Sequence, residues 1–272
     1  MVEIIKKNKK EMFALVVFLL TYWPTIMWMW DRWFARDSYY SHGILVPFVV
    51  VYLIWQMRDE LKLIKREQSP WGLRLIIVGV ILYLASAALR IYFSSGFSML
   101  IVFFGMILHF YGEKIFRKIA FPLAFLAFMI PLPMVIIKNI SFKLKILAAE
   151  IATVMLNGMR IPAIREGSMI KMRSAYVVVD DVCSGLRSLI SLTALGAIFA
   201  YWMTGSTFKK VLLFLSTIPI AIITNVCRVI LLSGISEIWG SQYATGFIHD
   251  ATGFMVFGLA FILLFAVGKL LE

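Results

Sequence analysis

Three side chains of complementary chemistry stand in the last third of this sequence: a thiol at Cys183, a guanidinium at Arg228 and an imidazole at His249. A thiolate attacks carbonyl carbon, and an imidazole titrating near neutrality can take the thiol proton and return it to a leaving amine. A guanidinium stays protonated and offers a fork of donors to an oxyanion. These are the parts of a cysteine acyl-transfer site. Asp180 or Asp181 can cap the helix that follows, which would put Cys183 in its first turn, where free N–H groups and the positive helix end favour a thiolate. Arg187 follows at i+4, on the same face of such a helix. Both influences promote ionisation, and the two aspartates oppose it.

Other residues compete for these roles. His42, in the run YYSHG, is a second imidazole and an alternative base. Asn225 and Arg187 are candidates for positioning, and Asp250 adjoins His249. Cys227 neighbours Arg228, but i and i+1 point to different helix faces, so it reads as packing, with a disulfide to Cys183 the less favoured pairing. Zinc needs three or four ligands, and Cys183, His42, His249 and Asp250 supply them only on paper, without an H-x-x-x-H or C-x-x-C spacing. No metal and no cofactor is therefore expected. No glycine-rich phosphate loop and no G-x-S-x-G occurs, and no basic surface is interleaved with aromatics, so nucleic acid is not expected as a partner.

The elements that position these groups follow from composition. The 272 residues are 61% hydrophobic and 15% charged, against about 25% charged in soluble domains. A mean hydropathy of +0.89 requires a solvent that is not water. A hydrocarbon core about 30 Å thick takes about 20 apolar residues of helix. About eight such segments are expected: 12–30, 43–57, 75–93, 97–111, 119–137, 184–203, 211–232 and 249–268. The fold class is thus an all-α polytopic membrane protein, a single integral membrane domain over 1–272. The first segment follows Lys6, Lys7, Lys9 and Lys10 but ends in WMWDRW without small residues for cleavage, so it reads as a retained helix.

The net charge of +12 reports orientation. With the N-terminus in the cytoplasm, the N-terminal lysines, the basic residues from Arg58 to Arg74, and Lys114, Arg117, Lys118, Lys209, Lys210 and Lys269 all fall on that side. Eight crossings return the C-terminus to the cytoplasm. The connection at about 138–182 is then external. Its first half, Lys138 to Arg160, reads as an interfacial helix. Its second half reads as a small outer β-hairpin, Met169–Met172 and Tyr176–Val179, turning at Arg173 and Ser174. Arg228 lies 18 residues beyond Lys210, about 27 Å along a helix. Cys183, Arg228 and His249 therefore share the outer leaflet, where ionisable groups are expensive and need a partner or a function.

The stretch DDVCSGLRSLISLTALGAIFAY, then NVCRVILL, then FIHDATGFMVFGLAF, resembles the signature of the exosortases, the bacterial counterpart of the archaeosortases. The similarity extends through YYSHGILVPFVVVYLIW, FPLAFLAFMIPLP and IPAIREGSMI, and so covers most of the chain. The resemblance implies a cysteine protease or transpeptidase of the bacterial inner membrane. Its partners would be membrane lipids and exported proteins ending in a sorting tail: a Pro-Glu-Pro motif, a membrane helix and a basic cluster. A thioester intermediate would pass to an unidentified acceptor amine or lipid, or to water. The family triad falls on Cys183 in CSGLRS, Arg228 in NVCR and His249 in FIHDATG. The rival reading is a transporter or scaffold subunit of an exopolysaccharide-export system, with Arg228 and Arg187 binding an anion.

Overall fold

The computed structural model describes residues 9–36, 38–244 and 246–272, leaving aside the side chains of Val182, Tyr243, Ala244, Phe247, His249 and Asp250. The chain is mostly helical and divides into two compact units, Met1–Leu132 and Pro133–Glu272.

The first unit contains α1 (Lys9–Thr21), α2 (Trp23–Trp33), α3 (Leu45–Gln56), α4 (Arg58–Leu63), α5 (Pro70–Leu89), α6 (Tyr92–Tyr111), α7 (Glu113–Lys118) and α8 (Ala120–Phe125). Helices α5 and α6 form its spine. They approach closely because small residues line the seam: a Cβ on Gly72 would stand 2.6 Å from His109 Cα and 2.7 Å from the Gly105 carbonyl. Such small-residue contacts are how helices associate in lipid, where burial alone gives no drive. Hydroxyls fasten the bend between α1 and α2 to this spine. Tyr22 Oη meets Ser98 Oγ at 2.6 Å, Thr25 meets Ser95 at 2.6 Å, and Ser98 donates to the Gly79 carbonyl at 2.9 Å. The bend between α1 and α2 is 61°, with Pro24 at the start of α2.

The second unit contains α9 (Met134–Gly158), a three-stranded antiparallel sheet, α10 (Leu186–Trp202), α11 (Thr207–Trp239) and α12 (Phe247–Leu271). The sheet is β1 (Ala163–Glu166), β2 (Met169–Met172) and β3 (Tyr176–Val178), in that order, with Ile170 opposite both Arg165 and Val177. Asn157 latches the sheet to the end of α9: its side chain bonds Ala163 N and Ala163 O, each at 2.9 Å. The alanines 148, 149 and 152 on α9 pack with Val226, Val229 and Leu232 of α11 and with Ile170. A second core joins α10, α11 and α12 through Leu192, Leu213, Ile220, Ala260 and Leu264.

Among the described residues four helices are long and apolar enough to cross a membrane: Pro70–Leu89, Tyr92–Tyr111, Thr207–Trp239 and Ala251–Leu271. The number rises to six if the broken pairs α1 with α2, and Ala120–Met129 with α9, each count as one span. The apolar helices Ser41–Gln56 and Leu186–Trp202 are shorter, below the about 20 residues a hydrocarbon core requires. The expectation of eight full spans thus gives way to four to six candidates. Two segments are too short, and two are broken, one at Tyr22 and one in the proline-bearing run Ile130–Pro133.

Two further expectations are corrected. The hairpin is a three-stranded sheet, because Ala163–Glu166 adds a strand to β2. The interfacial helix starts at Met134 rather than Lys138, and it buries Ile137, Ser141, Ala148, Ala149, Ala152 and Leu156. That stripe is a core face of the second unit, with Lys138 and Lys143 left exposed beside it.

Candidate functional site

Cys183 closes a 3₁₀ turn, Asp181–Cys183, just ahead of α10. Its side chain is buried, 6% exposed, in the core shared by α9, the sheet and α11. The turn is held from three sides. Cys183 N donates to the Asp180 carbonyl at 2.9 Å. The Asp181 carboxylate accepts from Ser141 Oγ and Lys145 Nζ of α9, each at 3.1 Å. The Cys183 carbonyl accepts from Asn225 Nδ2 of α11 at 2.8 Å.

Gly185 explains how the chain passes from this turn into α10. Its φ is +80, and a Cβ there would stand 2.8 Å from Asn225 Cγ and 2.9 Å from Asn225 Cβ. Only glycine takes that conformation without strain and leaves room for the amide. Gly185 is the N-cap of α10 and has no side chain to cap it; the Ser184 hydroxyl accepts instead from Leu186 N at 3.3 Å. The expected cap at Asp180 or Asp181 is therefore corrected: α9 draws the Asp181 carboxylate away, and Cys183 precedes the helix instead of lying in its first turn. The i+4 relation of Cys183 to Arg187 fails with it, because the left-handed residue between them breaks the helical register.

Asn225 and Arg228 are three apart on α11 and share its buried face. Arg228 is 8% exposed, and its guanidinium lies against α12, with Nη2 3.3 Å from where a Cβ of Gly253 would be. Burial pushes the Cys183 thiol above its ordinary value, the Arg228 charge pulls it back, and Asp180 pushes it up again. The resting group is a thiol whose ionised form is favoured by the Arg228 charge and by a hydrogen bond with the Asp180 backbone. Asp181 titrates below the usual carboxylate range, chiefly through its bond to Lys145.

The first turns of α12 reach the same place. Ile248 packs against the core that contains Cys183, and Gly253 meets Arg228. Position 249 lies on α12 between these contacts, one helical turn before Gly253. The side chains of His249 and Asp250 are outside the described residues. His42 belongs to the first unit, where it stacks on Tyr40 with ring centroids 5.8 Å apart. Cys227 is exposed and both cysteines are free, so no Cys183–Cys227 disulfide forms. Among the described residues no group of His, Cys, Asp and Glu is arranged to hold a metal.

Sequence reasoning missed Gly185, Gly253 and the Ser141–Lys145 anchor. The two glycines carry a local signal, one two residues after Cys183 and one a helical turn after His249, but the anchor pairs residues 36 to 40 apart.

These features define a helical membrane protein with a buried thiol and a guanidinium beside it. A family described as transmembrane exosortase (Exosortase_EpsH) matches residues 28–266, most of the chain, and the protein belongs to that family. No curated protein matches the chain, and no solved structure does.

Proposed function

We propose that the chain is a membrane-embedded cysteine protease or transpeptidase that cleaves the C-terminal sorting signal of exported proteins. The observation that carries this reading is the buried Cys183 thiol under the charge of Arg228, with its own carbonyl clamped by Asn225. Membership of the exosortase family supports it.

Burial keeps the thiol protonated at rest, so attack needs a base. His249 takes the proton as sulfur bonds to the scissile carbonyl carbon, and Arg228 holds the oxyanion. Collapse breaks the C–N bond, and the imidazolium returns the proton to the leaving amine. A thioester remains on Cys183. An acceptor amine, a lipid or water then releases the acyl chain. The substrate is a protein with a Pro-Glu-Pro motif, a membrane helix and a basic tail. The site faces the outer leaflet of the inner membrane, with both termini cytoplasmic, as the distribution of Lys and Arg favours.

Processing of a tailed reporter in cells tests the assignment. Cys183→Ala, Arg228→Ala and His249→Ala each abolish it while the chain stays in the membrane. Loss in His42→Ala with full activity in His249→Ala would move the base to His42. Undiminished processing in Cys183→Ala would end the reading, as would membrane export that is indifferent to thiol alkylation.

A further inference from the structure

Helices α10, α11 and α12 meet again at the end away from Cys183, around a cavity of about 230 Å³. Its wall is apolar. Phe199, Trp202 and Met203 stand at the close of α10, Leu213 near the start of α11, and Phe265 and Gly268 in the last turns of α12. Lys269 and Glu272 complete the lining. Lys269 Nζ lies 5.8 Å from the Phe265 ring, and Lys209 Nζ donates to the Glu272 carbonyl at 3.4 Å, so two ammonium groups stand at one rim. Among the described residues neither lysine has a carboxylate within ion-pair distance. The first turn of α11 carries no acidic residue, and its N-cap Ser206 makes no side-chain cap bond, so the free amides there add to the positive charge.

We infer that this cavity holds an acyl chain of an anionic phospholipid whose phosphate is bound by Lys209 and Lys269. The cavity falls below the about 300 Å³ at which small-molecule pockets begin, and its wall offers a soluble metabolite few polar partners. An acyl chain needs none, and the rest of the lipid stays among its neighbours in the bilayer. In lipid an apolar wall alone selects nothing, so the lysines choose the headgroup. An ammonium is a point charge suited to phosphate, and basic pockets between membrane helices take anionic headgroups. Trp202, at the end of its helix and 51% exposed, stands where aromatic side chains meet headgroups. The same two charges repel a basic protein segment, which excludes such a segment as the occupant.

The test uses the full chain in phosphatidylcholine vesicles with rising fractions of phosphatidylglycerol brominated on its acyl chains, and brominated phosphatidylcholine as the neutral probe. Bromine quenches tryptophan on contact. The chain has 8 tryptophans, and the part of the signal lost in Trp202→Phe belongs to the cavity. One lysine near an anionic headgroup is worth about fivefold in affinity. Half-quenching of Trp202 should therefore need about 25-fold less phosphatidylglycerol than phosphatidylcholine. Lys209→Gln and Lys269→Gln should each raise that fraction about fivefold. Lys210→Gln makes the same charge change on a neighbouring face of α11 and should leave it unmoved. Gly268→Leu fills the cavity from a position with room, its Cβ 3.8 Å from Leu213, and should weaken the quenching. Equal quenching by both probes, an equal shift in Lys210→Gln, or undiminished quenching in Gly268→Leu overturns the inference. So does displacement of the brominated lipid by inorganic phosphate at matched ionic strength, which would assign the lysines to a free anion. Binding is read without turnover, so its failure leaves the cleavage reading untouched, and loss of cleavage leaves the lipid site standing.

Discussion

Replacing Gly185 by alanine loads the joint that places the thiol. At φ +80 a non-glycine residue costs about 1–2 kcal/mol. The new Cβ would stand 2.8 Å from Asn225 Cγ, and Asn225 is itself buried, so the amide must shift. That shift breaks the 2.8 Å bond to the Cys183 carbonyl and leaves a buried acceptor unpaired, about 1–3 kcal/mol. The sum, roughly 2–5 kcal/mol, would raise local opening by about one and a half to three and a half powers of ten at about 1.4 kcal/mol each. The chain has 2 cysteines, so Cys227→Ser leaves Cys183 as the single thiol and its alkylation rate reports the opening. Gly185→Ala should speed labelling at least tenfold. With Asn225→Ala already present, the hydrogen bond is gone beforehand and the added acceleration should be smaller, a coupling that a double-mutant cycle measures. Unchanged labelling in Gly185→Ala, or an equal increment in both backgrounds, would refute the coupling of Gly185 and Asn225 to the thiol.

Two pH dependences follow from the same geometry. Burial lifts the Cys183 thiol above its ordinary 9.0, so the alkylation rate in the Cys227→Ser chain should still be rising above pH 9, and Arg228→Gln, by removing the favourable charge, should move the inflection higher. The Asp181 carboxyl is held down by Lys145 and Ser141. Its stabilisation is present above the ordinary carboxylate pKa and is lost as pH falls through the lower folded value. Hydrogen exchange in residues 180–184 should therefore lose protection below about pH 4, and Lys145→Met should remove most of that step.

Much of this fold is written in local composition. Apolar runs announce themselves, and each expected segment does contain helix. What composition cannot give is where a helix stops short. Tyr22, buried and bonded to Ser98, marks a bend that hydropathy does not register, while Pro131 and Pro133 interrupt the fifth segment and were legible as helix breakers. β1 escaped notice because Ala-Ile-Arg-Glu is short, polar on two positions and paired only through β2. At the site, the thiol, the guanidinium and the helix bearing position 249 were legible as residue types on apolar segments. The cap was not. Asp181 is a good N-cap by type, but Ser141 and Lys145, distant in sequence, bind its carboxylate instead. A tertiary contact thereby overrode a local preference, shifted the helix start to Gly185 and removed Arg187 from the face it was expected to share with Cys183.

The central claim is that Cys183 becomes covalently acylated during turnover. Intact-protein mass spectrometry of the reconstituted chain, quenched in acid while it processes a tailed substrate, tests this directly. The account predicts an acyl adduct that maps to Cys183, is released by hydroxylamine, persists in Cys227→Ser and is absent in Cys183→Ala. Turnover with no adduct on Cys183, or an adduct that survives Cys183→Ala, would contradict it.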